Sequence, residues 1–293
     1  MIEESGVSVL SDHVCHLGEG PTYDPATDTL FWFDILGRKL LEKQLGGGAT
    51  IVRELPEIMS ALAVINEGHQ LLVGESGLSI RDVRTGAITS YLPIEADNPA
   101  TRSNDARVHP CGAFWIGTMG KKAEPGAGAI YWFFKGEVRR LVGNVSIPNS
   151  ICFSPDGTAA YYTDTKENVL FRLACDPETG LPTGDKQVFF DHRGNKGGLD
   201  GSVVDADGVL WNARWGAGCI DAYSPEGRRI RSVAVPARQP SCPAFIGAGA
   251  DRLAVTSAWE GMDDPARSAD PLAGQTFLLD LLVRGRFEPR VLI

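Results

Sequence analysis

The feature that most constrains the fold of this chain is an internal repeat. A short apolar run, a turn and a second run rich in aromatic and β-branched residues recur six times within its 293 residues. The turns align on positions 40 to 51 residues apart, namely Asp28, Gly68, Gly112, Gly157, Gly208 and Asp251. A further turn and a third strand-like run follow each pair. A period of about 40–50 residues with about four short strands per copy is typical of a propeller blade.

The repeat therefore predicts an all-β fold, a six-bladed β-propeller whose four-stranded antiparallel blades surround a central channel. Helical repeats of similar length do not fit, because turns interrupt the runs too often and no 3.6-residue period is present. No linker divides the chain, so residues 1–293 are predicted to form one domain. The run "VSVL" at 7–10 is expected to complete the last blade as its outer strand, which covers two open strand edges. Segments 121–129 and 259–275 are expected to be longer loops.

Composition excludes several classes of partner. The formal net charge is −9 and no basic block is present, which argues against binding to nucleic acid. Residues 1–17 lack the pattern of a signal peptide, and no apolar run approaches the roughly 18 residues of a membrane span. The six cysteines are scattered without a CxxC pair, which favours buried free thiols in a reducing cytosol. A cytoplasmic protein without nucleic-acid or membrane partners is predicted.

Oxygen-bearing side chains recur at one phase of the repeat. Eight residues before the aligned turn stand Ser60, Asn104, Asn149 and Asp200, and Glu19 stands nine residues before the first. In a propeller the first strand of each blade lines the channel, so the ring brings these side chains to one mouth. Taken singly, each is better explained as a residue that caps a turn or a strand start. Their shared phase favours a cluster.

Such a cluster implies a positive partner. Several oxygens at a partly buried mouth repel one another unless a cation lies between them. Carboxylates and carboxamides suit a hard ion such as Ca²⁺, Mg²⁺ or Mn²⁺, whereas zinc or iron usually recruits His or Cys. The five histidines fall at no shared phase, and the "DADG" turn at 205–208 lacks the acids of an EF-hand. One divalent metal cation is predicted, with Ca²⁺ favoured on the oxygen-only ligands, although the sequence does not distinguish Ca, Mg, Mn, Zn and Fe.

Four stretches resemble one known family. They are "LGEGPTYDPATDTLFWFDI", "RSNDARVHPCGAFWIGTM", "PNSICFSPDGTAAYYTDT" and "LDGSVVDADGVLW". In this order they resemble the SMP-30/gluconolactonase family, which includes regucalcin and bacterial sugar lactonases. The resemblance covers about residues 15–260. It implies a six-bladed propeller that hydrolyses aldono-lactones, with one divalent metal held by Glu19, Asn149 and Asp200.

The resemblance also implies substrate contacts. Arg102 and Asn104 would face the substrate, and Glu124 would match a loop glutamate that contacts sugar hydroxyls, although "GKKAEPGAGA" departs from the family's loops. Lys121 and Lys122 in the same loop are explained either by solvation or by an anionic substituent on the sugar.

The predicted chemistry is hydrolysis of a sugar lactone to its aldonic acid. The cation would act as a Lewis acid on the lactone, with Asp200 as both ligand and general base. Arg102, on the loop that enters the third blade, would make paired hydrogen bonds to substrate oxygens. Trp215 would either contribute to an apolar rim or serve only in packing. No GxSxG elbow or GxGxxG turn supports a serine hydrolase or a dinucleotide site.

Two alternatives stay open. A non-catalytic calcium-binding regulator or scaffold would use the same carboxylates, and an esterase or phosphotriesterase-like activity would use the same class of propeller. Arg102 and Asn104 favour catalysis on a sugar, because a calcium buffer needs no polar pair facing a substrate.

Overall fold

The computed structural model describes residues 2–4 and 6–293, and six four-stranded antiparallel sheets form within them. The outer strand of the last sheet comes first in the chain and is β1 (Val7–Ser11). The first three blades consist of β2 (Gly18–Asp24), β3 (Thr29–Asp34), β4 (Lys39–Gln44), β5 (Ile51–Glu54), β6 (Met59–Asn66), β7 (His69–Gly74), β8 (Gly77–Asp82), β9 (Ile88–Pro93), β10 (Thr101–Val108), β11 (Phe114–Gly120), β12 (Gly128–Phe134) and β13 (Glu137–Val145). The strands of the other three are β14 (Pro148–Phe153), β15 (Ala159–Asp164), β16 (Val169–Ala174), β17 (Gln187–Asp191), β18 (Gly198–Val204), β19 (Leu210–Trp215), β20 (Cys219–Tyr223), β21 (Arg229–Ala234), β22 (Pro240–Ile246), β23 (Arg252–Ser257) and β24 (Thr276–Leu279).

The propeller closes as the sequence predicts. Strand β1 pairs antiparallel with β24, with Val7 opposite Leu279 and Val9 opposite Phe277. The last blade thus has the order β1-β24-β23-β22, so that its outer strand comes from the start of the chain and its other three from the end. This pairing ties the last blade to the first, and the predicted six-bladed fold is confirmed.

The turns between strands follow from their sequences. In "SPDG" at 154–157, the Asp156 carboxylate accepts a hydrogen bond from the Thr158 N–H (3.1 Å) and the Ser154 hydroxyl (2.7 Å). Gly157 then takes a φ of 71°, in the left-handed region that glycine adopts without strain. Such turns return each inner strand into its neighbour and so fix the phase of the repeat.

The hydrophobic core is divided among the blade interfaces. Six buried clusters, found within residues 2–4 and 6–293, each join two consecutive blades. Trp115 of the third blade, for example, packs edge-on against Phe153 of the fourth, with ring centroids 5.4 Å apart. The inner strands thereby hold a narrow ring around the channel.

The predicted loop at 259–275 contains a short helix, α1 (Asp264–Ala269). Asp263 caps it by accepting a hydrogen bond from the Ala266 N–H (2.9 Å), and Pro265 stands in its first turn. A loop was thus predicted where a capped turn of helix forms. Among the described residues, no helix has the length and apolar character needed to cross a lipid bilayer.

Candidate functional site

The predicted site residues lie at one place on the innermost strands. Glu19, Asn104, Asn149 and Asp200 belong to β2, β10, β14 and β18, the first strands of their blades. In all six blades the pairing between the first and second strands shifts register at or next to these positions. The breaks fall between Glu19 and Thr22, Met59 and Ala61, Ser103 and Ala106, Asn149 and Cys152, Leu199 and Ser202, and Pro240 and Pro243.

These β-bulges re-aim side chains from the strands toward the channel mouth. In β2 the bulge contains Gly20, with φ 58°, and a Cβ there would lie 2.1 Å from the carbonyl oxygen of Ser60. Only glycine permits that approach of the first two blades. In β14 the bulge residue is Ser150, with φ 57°, directly after Asn149. The Asx and Gly residues noticed in the sequence therefore occupy bulges, which is why they recur at one phase.

A cavity of about 360 Å³ opens at this mouth. Five of the six predicted site residues line it, together with the predicted rim residue Trp215. The lining residues are Leu17, Glu19, Arg102, Asn104, Met119, Lys121, Lys122, Ala123, Ile147, Asn149, Thr165, Asp200, Trp215 and Glu260. Ser60 stands at the same phase but lies outside the cavity wall, and its hydroxyl donates to Ser103 Oγ (2.8 Å). The wall joins apolar surface with a few converging polar groups, as small-molecule sites do.

Hydrogen bonds across three blades fix the carboxamide of Asn149. Asn104 Nδ2 donates to Asn149 Oδ1 (2.9 Å) and to the carbonyl of Pro148 (2.9 Å). Asn149 Nδ2 donates to the hydroxyl of Thr165 (2.9 Å), which in turn donates to the carbonyl of Leu199 (2.8 Å). Both amide hydrogens of Asn104 are thus engaged, so only its Oδ1 is available to a ligand. Sequence reasoning missed Thr165, because it lies in a turn outside the repeated phase.

Glu19 and Asp200 are buried carboxyl groups without a cationic partner. Glu19 is 8% exposed and Asp200 6% exposed, and neither forms an ion pair within the described part of the chain. Burial, followed by the charge of Asp105, raises the pKa of Glu19 to about 8. Burial and then the charge of Glu19 raise the pKa of Asp200 well above its ordinary value. Two buried carboxylates that repel each other favour a bound cation.

Arg102 lies inside β10, whereas the sequence analysis placed it in a loop entering the third blade. Its side chain is 5% exposed, and Nη1 donates to the Ser103 carbonyl (2.8 Å) and to Asn104 Oδ1 (2.9 Å). Nε is buried without a hydrogen bond in the described structure. Burial lowers the pKa of Arg102, while Glu260 and Glu19 act against that effect. Arg102 therefore forms part of the cavity wall and supports Asn104.

The loop at 121–129 contributes differently from the expectation. Lys121 and Lys122 line the cavity, and Lys121 pairs with Glu75. Glu124 is exposed, does not line the cavity and accepts a hydrogen bond from the Lys122 N–H (3.1 Å). Its contact with a sugar stays a prediction. Glu260, from the segment that precedes α1, lines the cavity and had no signal in the repeat.

The chemistry of the mouth fits a hard cation. Glu19, Asp200 and the Asn149 Oδ1 present only oxygen donors, and burial raises the pKa of both carboxyl groups, even though Arg102 is close enough to lower that of Glu19. Hard divalent ions such as Ca²⁺ prefer this donor set.

A second group of potential ligands, His13, Cys15 and Asp34, places its ligand atoms within 4.8 Å of one another. Sequence reasoning missed it, because no period relates the three. Asp34 accepts hydrogen bonds from three main-chain N–H groups at 3.0–3.1 Å, including that of Leu17. Burial and the charge of Asp34 raise the pKa of Cys15 to about 12, so that its thiol stays protonated. This group is mainly structural, and its sulfur and nitrogen atoms suit a softer ion.

The fold and the site together define a class of protein: a six-bladed propeller whose channel mouth combines buried carboxylates, carboxamides and an arginine. A family model described as "SMP-30/Gluconolactonase/LRE-like region" matches residues 17–259. The chain belongs to this family, which confirms the resemblance seen in the sequence.

Three similar proteins place the chain within the family. A putative sugar lactone lactonase of Rhizobium meliloti (strain 1021) is 53% identical over 280 residues, covering 96% of this chain and 95% of its own. An L-arabinolactonase of Azospirillum brasilense is 37% identical, covering 92% and 90%. A crystal structure of a calcium-binding protein, regucalcin, from Agrobacterium tumefaciens str. C58 is 52% identical and superposes with a TM-score of 0.99, covering 100% and 99%.

Proposed function

We propose that this protein hydrolyses a sugar lactone, an aldono-lactone, to the corresponding aldonic acid with the aid of one divalent cation. The chain is a lactone-hydrolysing enzyme by its family and relatives. The observation that carries the finer proposal is the pair of buried carboxyl groups, Glu19 and Asp200, facing one cavity beside Asn149.

Glu19, Asn149 and Asp200 are the proposed ligands, and Ca²⁺ is favoured because all three offer oxygen. When bound, a divalent cation polarises a carbonyl oxygen and lowers the pKa of water. The hydrogen bonds from Asn104 Nδ2 to the Asn149 oxygen and from Asn149 Nδ2 to Thr165 fix the orientation of the Asn149 carboxamide. Arg102 holds Asn104 in turn, so the arginine supports this arrangement without being a ligand.

Asp200 is the proposed general base. Its ionised carboxylate takes the proton of the water that attacks the lactone carbonyl carbon, and the same proton passes to the ring oxygen as the C–O bond breaks. As a ligand of the cation, the Asp200 carboxylate would be a weak base, but a water made more acidic by the cation would need only a weak base. The reaction consumes one water and yields a hydroxy acid.

Substrate binding is assigned to Arg102, Asn104 and Trp215, with Glu124 at the rim. A volume of about 360 Å³ suits a single small sugar. Lys122 adds an exposed positive charge at the edge of the cavity, where an acidic product would leave.

The experiment is turnover of a panel of aldono-lactones by the protein stripped of metal and then reloaded with Ca²⁺, Mg²⁺ or Mn²⁺. Spontaneous lactone hydrolysis is subtracted in each case. We expect turnover to vanish on stripping and to return with at least one ion. Full activity of the stripped protein would contradict the metal proposal, and no turnover under any condition would contradict the proposed reaction.

A calcium-binding function without turnover is the second candidate. It is supported by the similarity to a crystal structure described as a calcium-binding protein. It predicts calorimetric binding of Ca²⁺ at the mouth together with no hydrolysis of any lactone in the panel. Lactone turnover and Ca²⁺ binding, measured together, therefore distinguish the enzyme from the calcium-binding protein without turnover.

We further infer that residues 1–293 act as one domain in the cytoplasm. Closure of the last blade by β1 supports a single domain, since the two ends of the chain share one sheet. All six cysteines lie in the described residues and are free thiols, as in a reducing compartment. The net charge of −9 supports a small-molecule partner over nucleic acid.

A further inference from the structure

A second cavity, of about 690 Å³, lies on the flank of the propeller at the fifth blade. Its wall shares no residue with the cavity at the channel mouth. It is formed by the loop between β17 and β18, by the adjoining faces of β19, β20 and β21, and by residues 2 and 3. The charged and titratable groups that define it are Glu3, His192, Lys196, Arg214, Asp221, Arg229 and Arg231.

Two fully buried polar side chains line this cavity with unsatisfied nitrogens. Arg214 is 1% exposed, and its Nη2 donates to the carbonyls of Lys196 (2.9 Å) and Gly197 (3.0 Å). Its Nε and Nη1 make no hydrogen bond in the described structure, and Asp221 Oδ2 lies 3.8 Å from Nη1. His192 is also 1% exposed, and neither ring nitrogen makes a hydrogen bond of good geometry among the described residues, although the Lys196 main chain is close enough to raise its pKa. Buried donors without partners are rare and costly, so they indicate a missing acceptor.

The charge around the cavity is positive, although the chain as a whole is acidic. Four cations, Lys196, Arg214, Arg229 and Arg231, face two carboxylates. Arg231 pairs with Glu3 (2.7 Å), and Arg229 shares Asp221 (3.5 Å) with Arg214.

Burial and the Arg214 guanidinium lower the pKa of His192 to about 4, against an opposing effect of the Lys196 main chain. The imidazole is therefore neutral near pH 7, and two positive charges stay in excess.

We propose that this flank cavity binds a small oxyanion, a carboxylate or a phosphate, held by Arg214 with His192 and Arg229. An anion supplies acceptors for Arg214 Nε and Nη1 and for the single N–H of the neutral imidazole, and it compensates the excess charge. Arginine suits such a ligand, because its N–H groups match the oxygens of carboxylate and phosphate. A cation would be repelled, and a neutral ligand would leave the charge unbalanced.

The experiment is calorimetric titration of the full-length protein with inorganic phosphate and, separately, with acetate, at an ionic strength held constant with chloride. We expect one site of millimolar affinity. Arg229→Gln should weaken binding about fivefold, since it removes one partly exposed charge. Arg214→Lys should weaken it about tenfold, because a point charge replaces the planar guanidinium.

Two matched controls locate the site. Arg228→Gln removes a neighbouring arginine that is exposed and outside the cavity, and Lys122→Gln removes a charge from the channel mouth. Neither should change the affinity by more than about twofold.

If Arg214→Lys does not fold, the contrast of Arg229→Gln with Arg228→Gln decides. The proposal is supported if phosphate, acetate or both bind and if Arg229→Gln weakens that binding more than Arg228→Gln does. The anion that binds more tightly is then the preferred one. Binding of neither anion, equal losses in Arg228→Gln and Arg229→Gln, or loss confined to Lys122→Gln would overturn it.

Discussion

The two ends of the central channel carry buried charge in opposite ways. At the mouth, Glu19 and Asp200 have no cationic partner among the described residues, and burial raises the pKa of each. At the base, the buried guanidinium of Arg107 pairs with Glu288 (3.2 Å) and lies near Asp105. Burial alone lowers the pKa of Arg107, but the charges of Glu288 and Asp105 raise it above its ordinary value.

The base is also closed, whereas the mouth is open. After β24 the chain crosses the turns that join inner strands to their neighbours. Arg286 donates to the carbonyls of Val204 (2.9 Å) and Phe153 (2.5 Å), and the Leu292 N–H donates to the carbonyl of Gly112 (3.0 Å). The tail therefore seals the end opposite the cavity and supplies Glu288 to the channel.

This difference separates buried charge that is paired within the chain from buried charge that has no ion-pair partner among the described residues. A buried ion whose partners come from the same chain contributes to folding and needs no ligand. Buried carboxyl groups without such partners cost stability unless they are protonated or bind a cation. Changes at the mouth should therefore affect metal binding and turnover, and changes at the base should affect stability alone.

The largest expected effect is that of Asp200→Asn at the mouth. The amide keeps the shape of the side chain but removes both the charge of the proposed ligand and the proposed general base. Turnover should fall by about 10³-fold or more, while the metal-free protein stays folded. The matched control is Asp207→Asn on the same blade at the base, whose partner is the exposed Arg284. Lactone hydrolysis measures both, and Asp200→Asn with more than a tenth of wild-type turnover would remove Asp200 from its proposed role.

Arg102→Ala should lower kcat/KM by about 10- to 100-fold, which corresponds to about 1.4–2.7 kcal/mol of lost transition-state interaction. Metal affinity should change much less than turnover, because Arg102 reaches the proposed ligand Asn149 only through Asn104. Arg102→Lys should restore only part of the loss, since a point charge cannot reproduce a planar fork. Calorimetry with Ca²⁺ beside hydrolysis tests the split. Unchanged kcat/KM in Arg102→Ala would exclude the residue from the site.

Glu288→Gln tests the base. Arg107 keeps a hydrogen-bonding neighbour but loses the charge of its partner, so the free energy of unfolding should fall by about 1–2 kcal/mol. The loss stays modest because the Glu288 side chain is 25% exposed. Turnover should stay within about twofold of wild type. Urea unfolding gives the stability, with Glu226→Gln, from an exposed pair, as the control. A loss of turnover without a loss of stability would contradict the expectation that charges at the base affect stability alone.

The mouth was predictable from the sequence because it repeats. Asn104, Asn149 and Asp200 stand eight residues before equivalent turns. The same position of each repeat therefore lies on the inner strand, beside its bulge and in the cavity wall. The closing strand β1 was predictable for a similar reason, since an incomplete last blade needs an edge partner.

Residues outside the repeat had no such signal. Thr165 reaches Asn149 from a turn, and Glu260 enters the cavity from the segment before α1. The tail at the base crosses several blades, so the pairing of Glu288 with Arg107 joins positions 181 residues apart that no period relates. Arg102 was assigned to a loop because β10 starts earlier than the repeat suggests, at Thr101.

The smallest expected effect is a pH dependence of stability in the metal-free protein. The pKa of Glu19 rises from about 4.5 to about 8 on folding, so the folded state binds more protons between these values. The free energy of unfolding should therefore fall as pH rises through this window, since the unfolded state ionises first. His192, whose pKa is lowered to about 4, changes stability in the opposite direction, but only below about pH 6.5. The useful interval is thus pH 6.5 to 8, where we expect a loss of unfolding free energy on the order of 1 kcal/mol.

Glu19→Gln should reduce this slope of stability against pH, and saturating Ca²⁺ should reduce it in the wild type by compensating the ionised carboxylates. Urea unfolding at the two pH values measures each. Because the pKa of Asp200 is raised as well, a slope that neither Glu19→Gln nor Asp200→Asn reduces would contradict the assignment of this pH dependence to the mouth.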